Sequence, residues 1–317
     1  TLMGEVREQL VGSVTPATFA DMCAQTLVYG VLTSRITDPA SFGASPTLAA
    51  VPLSNPFLAA FFDNVHDQAS VLDLEGIGLE QLVADLRETN VEAILDQFGA
   101  SARGGDPVIH FYEEFLQRYD RKMRADAGAF YTPQPVVEFM TRTVDTVLRD
   151  RFGLASGVAD GSTWAEVAER NGFAVPEGVE PSSPFVSMVD PATGTGTFVV
   201  EWLRRARASF LRDGKAADWP EHARDVVLPS LHAFELMLGP YAIAHLKVAL
   251  ELHDEDVVDD APNILLTDTL DHESHNQLLF EDDPVSGEGE RAAALKDGAR
   301  FTVVVGNPPY DREQQDV

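Results

Sequence analysis

The chain has 317 residues, a formal net charge of −28 and a hydrophobic content of 44%. That length suits one large domain or two smaller ones, the acidity argues against a surface that binds nucleic acid everywhere, and no apolar run is long enough to span a bilayer. A single cysteine, Cys23, excludes a disulfide framework or a cysteine zinc site within the chain, and with no signal-peptide pattern a reducing, cytoplasmic setting is expected.

The acid is uneven. From Glu251 to Glu290 there is neither Lys nor Arg. Basic residues gather instead at Arg118, Arg121, Lys122 and Arg124, and again at Arg204, Arg205 and Arg207. Both clusters are expected to be solvated helix faces.

Up to about Asp126 the pattern is helical. Thr15-Pro16 is a cap followed by proline in the first turn, and Phe19, Met22, Cys23, Leu27 and Val31 recur at helical spacing. Asn55-Pro56 opens a second helix through Phe57, Leu58, Phe61 and Phe62, and Leu79 to Phe98 and Val108 to Tyr119 continue the pattern. Thr37 to Pro52 is loop-like. His110 with Glu113 and Glu114 reads as a core histidine beside exposed acids, and no metal site is predicted.

The stretch from Ala127 to Met140 holds Phe130-Tyr131-Thr132-Pro133. Thr132 to Pro135 signals a helix start, with Val136, Met140, Val144, Val147 and Leu148 as its apolar stripe. Free backbone N–H groups at such a start can seat a carboxylate. Gly153 to Pro184 reads as a polar insertion with one short helix, Trp164 to Arg170.

Phe185 to Asp190 is a buried strand ending in an acid, and Pro191 to Thr197 is a glycine-rich turn. The helix that follows carries Phe198, Val199, Trp202, Ala206 and Phe210. Strand, glycine turn and helix make a nucleotide-cofactor arrangement. A dinucleotide fingerprint wants a third glycine where Val199 stands, and there is no Walker lysine. Asp190 would repel a pyrophosphate and attract an ammonium group, which favours S-adenosylmethionine (SAM).

The unit then repeats. Ser230 to Glu235 is a strand ending in an acid, Pro240 to His253 a helix, and Asn263 to Thr267 a strand followed by Asp268. Thr302 to Val305 is the fourth strand, β-branched throughout and expected to be buried on both faces. In a βαβ sheet these carboxyl ends line one edge. Glu235 is placed to hold ribose hydroxyls and Asp268 to accept from an adenine amino group. The fourth strand breaks into Gly306, Asn307, Pro308, Pro309 and Tyr310, a stiff extended corner. One carboxamide, bare carbonyls and one aromatic ring suit a planar ligand bearing an amino group.

Taken in order, Phe-Tyr-Thr-Pro, Asp-Pro-Ala-Thr-Gly-Thr-Gly-Thr-Phe, the two later strand-end acids and Asn-Pro-Pro-Tyr resemble the gamma group of amino-group-specific adenine DNA methyltransferases. His110-Phe-Tyr-Glu-Glu-Phe-Leu, Ala233-Phe-Glu-Leu-Met and Pro240-Tyr-Ala-Ile-Ala-His-Leu-Lys247 narrow the resemblance to the methyltransferase part of type ISP (single-chain type I) restriction-modification enzymes. The resemblance runs from about Val108 to Tyr310.

It implies SAM as cofactor. Phe130, Tyr131 and Thr132 would line the methionine end. Asp190, Ala192, Thr193, Gly194, Gly196, Thr197 and Phe198 would surround the amino acid moiety. Glu235 with Leu236 would take the ribose, Asp268 with Thr269 the adenine, and Asn307 would also border the cofactor. Asn307, Pro308, Pro309 and Tyr310 would form the catalytic corner around an adenine flipped from double-stranded DNA. The implied fold is α/β: a Rossmann-like SAM-dependent methyltransferase core over residues 127–317, preceded by an all-helical N-terminal domain over residues 1–126. Only the first four strands of that core are expected, without a target-recognition domain, so the fourth strand's free side calls for a missing half, a partner or disorder. The implied setting is restriction-modification or phage defence, with nuclease or helicase domains as possible partners and no membrane. Two alternatives stay open: methylation of a glutamine amide in a protein, and a SAM-binding module that needs other parts for catalysis.

Overall fold

The computed structural model describes residues 15–37, 42, 78–90, 93, 132–212, 214, 216–253, 262–270 and 284–309. Four strands make one parallel sheet: β1 (Met188–Asp190), β2 (Leu231–Glu235), β3 (Asn263–Leu266) and β4 (Val303–Val304), in the order β3-β2-β1-β4. The register sets Asp190 beside Ala233, Glu235 beside Leu266 and Val189 beside Val304. The chain winds outward from β1 to β3 and then returns to the other side of β1. Such a reversal opens a crevice at the carboxyl ends of the strands, here between β1 and β4.

Strand residues alternate between two cores, as a pleat requires. Met188, Leu231, Ala233, Ile264, Leu266, Val303 and Val305 join the larger core, with α5 (Thr197–Arg212), α7 (Leu238–His253) and α3 (Gln134–Phe152). Val189, Phe234 and Leu265 face the other way and pack with Ala292, Leu295 and Phe301 of α8 (Pro284–Gly298) and the segment after it. β1 and β2 are buried at every position, including the polar His232 and the strand-end acids Asp190 and Glu235.

The fourth strand departs from expectation. Val303 and Val305 are buried, but Val304 is 68% exposed. Among the described residues β4 pairs only with β1, and Val304 lies on the face that α8 covers over β1 and β2 but not at this edge. The strand is therefore buried on one face only. Every strand is also shorter than its apolar run, because pairing stops where the neighbour stops. Residues 228–230, for instance, form a tight turn before β2.

α1 (Pro16–Thr37) begins at the expected proline, and Leu27 and Val31 are buried, with Phe19 and Cys23 packed against the core. Burial pushes the Cys23 thiol up to about 12, in keeping with an inert apolar role. α2 (Leu79–Glu88) is held to α1 by Arg35, which donates to the Leu86 carbonyl at 3.1 Å. The expected helices at 55–62 and 108–119, the loop at 38–52 apart from residue 42, His110 with its acids, the first basic cluster and the boundary at 126 lie outside the described residues.

The stripe on α3 matches the reading in part. Met140, Val144 and Leu148 pack in or against the core, Val137, Thr141 and Asp145 are buried beside them, and Val136 and Val147 are exposed. The 153–184 stretch is not a peripheral insertion either. Leu154, Val158, Ala159 and Val167 enter the core, and α4 (Trp164–Asn171) starts with a reciprocal Thr163–Glu166 capping box. α6 (Trp219–His222) leads through a wide helical turn into β2. The Arg204–Arg207 cluster is largely engaged rather than solvated: Arg204 pairs with Glu251 at 2.8 Å and Arg205 with Glu201 at 3.0 Å.

Candidate active site

β1 delivers Asp190 to the crevice fully buried. Its Oδ1 accepts the Ala192 N–H at 3.1 Å, which tightens the glycine-rich turn into a loop. Neither its Oδ2 nor the buried Thr193 Oγ1 makes a hydrogen bond of full geometry among the described residues, although the Thr193 hydroxyl is near enough to favour the ionised Asp190 carboxyl. Buried polar atoms are almost always well paired, so this loosely satisfied pair marks a place for a donor from elsewhere. Burial pushes the Asp190 carboxyl up to about 7, against the Ala192 N–H, and the nearby Glu235 charge adds to the rise.

β2 delivers Glu235, whose two oxygens are each half used. Oε2 accepts the Gly194 N–H and Oε1 the Met237 N–H, both at 2.8 Å. One side chain thus ties the glycine loop to the loop after β2. Each oxygen keeps a lone pair that could take a ribose hydroxyl. Burial raises its carboxyl to about 6, tempered by these N–H groups. Thr193 N–H donates to the Phe234 carbonyl at 2.9 Å, a second tie between loop and β2. Gly194 and Gly196 adopt left-handed backbone, and a Cβ at 196 would press on the Ala244 backbone of α7. Leu236 stands 42% exposed beside Glu235 as an apolar lip.

β3 delivers Asp268 two residues past its end. Asp268 Oδ1 accepts the Leu270 N–H at 2.9 Å, and the Thr269 hydroxyl donates to the Pro191 carbonyl at 2.5 Å, linking this loop to the first. β4 brings the corner. Val305 N–H donates to the Val189 carbonyl at 3.0 Å, so the chain leaves the sheet beside Asp190. A Cβ at Gly306 would overlap Asp190 Oδ1 and crowd Pro191, so only glycine lets the two segments meet. Asn307 is half-buried and Pro308 and Pro309 are exposed.

Thr132 is half-buried just before α3, and Gln134 at the start of α3 donates to Glu201 of α5 at 3.4 Å. That contact brings the end of the Phe-Tyr-Thr-Pro stretch against the helix that follows the glycine loop. Thr197 and Phe198 are buried in the first turn of that helix. Phe130, Tyr131 and Tyr310 lie outside the described residues. The structure thus draws Asp190, Thr193, Gly194, Glu235, Asp268, Thr269 and Gly306 to one end of the sheet. No group of three or more candidate metal ligands occurs among the described residues.

The sequence reading missed Lys296 on α8. Its Nζ donates to Thr267 Oγ1 at 2.7 Å and to the Asp268 carbonyl at 2.5 Å. The glycines at 287, 289 and 298 and the alanine run dilute the stripe that would have announced α8.

Residues 103–160 match the family described as N-6 DNA Methylase. That match covers less than a fifth of the chain. That segment ends in α3 and its following turn. The whole fold is shared with solved restriction-modification enzymes. The ATP-dependent type ISP enzyme LlaBIII, solved bound to DNA, matches at a TM-score of 0.63 and 21% identity over 99% of this chain and 18% of its own. A nuclease-deletion mutant of the type ISP enzyme LlaGI, with a DNA substrate mimic, matches at 0.58 and 20% over 98% and 21%. The DrdV–DNA complex matches at 0.55 and 24% over 98% and 25%. The chain therefore spans a quarter or less of the length of these proteins. No curated protein matches it significantly by sequence. No helix among the described residues is long and apolar enough to cross a membrane.

Proposed function

We propose that this chain is the SAM-binding part of an adenine-specific DNA methyltransferase, which moves a methyl group from SAM to the N6 amino group of a flipped adenine in a restriction-modification or phage-defence system. The observation that carries the reading is Asp190: a buried carboxylate with one oxygen in no hydrogen bond of full geometry, at the switch point of the sheet, in contact with the glycine that opens the Asn-Pro-Pro corner. The residues fit the cofactor. Asp190 Oδ2 and Thr193 Oγ1 await a donor such as its amine, the free lone pairs of Glu235 suit its ribose, and Asp268 Oδ2, engaged by no residue described, suits its adenine amino group. When bound, SAM supplies a methyl group activated by its sulfonium charge.

The protein's part is placement. Asn307 and the Pro308 carbonyl accept from the N6 amino group, which draws its lone pair out of the ring and toward the methyl donor. Tyr310 stacks on the extruded base, worth about 1–3 kcal/mol in comparable single-strand sites. No covalent enzyme intermediate is required. Because Gly306 joins the target corner directly to Asp190, cofactor and base meet within a single rigid unit. The reading takes residues 1–126 as a helical region ahead of a core at 127–317, with α1 packed on that core, and the complete protein as working in the cytoplasm on double-stranded DNA, with nuclease or helicase parts nearby.

The Asn-Pro-Pro corner would equally hold a glutamine amide. The methylase segment favours DNA. Incubating the full-length protein with labelled SAM and either plasmid or cell protein decides the matter. N6-methyladenine in the plasmid supports the proposal, and label confined to protein overturns it.

A further inference from the structure

On the cofactor reading above, we propose that Lys296 is a positioning residue that fixes the loop after β3 and so sets the selectivity of the cofactor pocket for adenine over other purines. Glu288, Ala292 and Lys296 stand four residues apart along α8, on the side that packs on the sheet. Glu288 is 3% exposed. Its Oε1 accepts the Tyr241 hydroxyl at 2.7 Å and the Leu266 N–H at 3.1 Å. β3 is an edge strand, and its Thr267 N–H goes to Glu235 of β2, so Leu266 N–H faces the open edge. Glu288 takes the place of the missing strand there.

Two turns on, Lys296 extends past the Phe234 ring, its Nζ 5.9 Å from the centroid, and donates to Thr267 Oγ1 and the Asp268 carbonyl. One helix therefore holds β3 at its last residue and holds the loop just beyond it. Asp268 is pinned through its backbone by Lys296 and through Oδ1 by the Leu270 N–H, while Thr269 ties the loop to Pro191. What remains for a ligand is Asp268 Oδ2. Its position relative to the glycine loop depends on the Lys296 ammonium, because the backbone carbonyl of the same residue is the group that ammonium grips. A 6-amino purine offers its donor at N6, whereas a 6-oxo purine offers an acceptor oxygen there and its donor one atom along the ring, at N1–H, so an Asp268 fixed opposite position 6 discriminates against the latter and a mobile one does not.

The test compares S-adenosylhomocysteine with its inosine counterpart by calorimetry. Wild type is expected to prefer the adenine ligand by about tenfold or more, the effect of one hydrogen bond to a charged group. Lys296→Met keeps the apolar stem over Phe234 and removes the donors. It is expected to cut the preference to about two- to threefold, mainly by weakening the adenine ligand. Lys296→Arg is expected to restore part of it. Equal selectivity in wild type and Lys296→Met overturns the inference, as does an equal loss for both ligands, which marks a merely structural role. Should Lys296→Met not fold, Lys296→Leu, which also lacks a donor, carries the same comparison. If wild type binds neither ligand, the cofactor reading itself has failed.

Discussion

Replacing Asp190 by Asn should stabilise the ligand-free protein at alkaline pH and destroy its affinity for SAM. The rise of the Asp190 carboxyl from 3.8 to about 7 corresponds to about 4 kcal/mol against the ionised form. Asn keeps the Oδ1 acceptor for Ala192 N–H but places an NH2 where Oδ2 makes no hydrogen bond of full geometry, which costs about 1–3 kcal/mol. The net gain above pH 7 is about 1–3 kcal/mol. The sign follows from proton counting. Below the unfolded pKa both states hold the proton and wild type carries no charge to bury. Between 3.8 and about 7 the unfolded chain has released the proton while the folded one keeps it, so wild-type stability falls as pH rises. Above about 7 both states are ionised and the deficit is constant. Denaturant unfolding of wild type and Asp190→Asn at several pH values from 5 to 8 should show a difference that grows with pH and then levels. A flat difference would falsify the buried-charge argument, and tight SAM binding by the variant would remove Asp190 from the amine site.

Other outcomes follow from the same geometry. SAM affinity of wild type should climb as pH rises from 5 toward 7, by at most about tenfold per pH unit, because binding an ammonium requires the Asp190 proton to leave; affinity independent of pH over that range would contradict it. Gly306→Ala should lower both SAM affinity and turnover and cost about 1–3 kcal/mol of stability, since the new Cβ meets Asp190 and Pro191 in a packed junction. Unchanged melting and binding would show that the junction yields. Asn307→Ala in the full-length enzyme should abolish methyl transfer to DNA while SAM affinity changes by less than about threefold, the pattern of a group that acts on the target alone. Retained turnover would sink that assignment.

Much of the site was readable because strand-end acids and glycines carry local physical meaning. Asp190 and Asp268 follow Val- and Leu-rich runs and Glu235 follows Leu-His-Ala-Phe, and parallel strands must bring such ends together. Gly306 before Asn307 and two prolines marked a corner. The partners of these residues were less readable. Nothing in sequence says that Glu235 grips Gly194 and Met237, because that depends on a turn geometry forty residues away. α8 escaped notice because its contacts with the sheet are polar at both ends and small in the middle. The stripe on α3 was read only in part because Asp145, bound to Arg149 and the Val158 N–H, takes a buried position that apolar counting cannot assign. Val304 was misread because three valines in a row look alike whether a neighbour covers both faces or one.

β1 is only three residues long, yet it lies between β2 and β4 and is paired to both. On the proposed reading the cofactor groups lie on its β2 side and the target corner on its β4 side, and both neighbouring strands are registered to it by backbone hydrogen bonds. The spacing of methyl donor and acceptor would then be set by a ladder, not by loops. Changes in the loops alter what is bound and how tightly. Changes under Met188 or Val189 would shift one side against the other, and a misalignment of about 1 Å can cost a hundredfold in rate. The sheet acts as a machinist's jig: inserts may be exchanged, but the bar that spaces them must keep its dimensions.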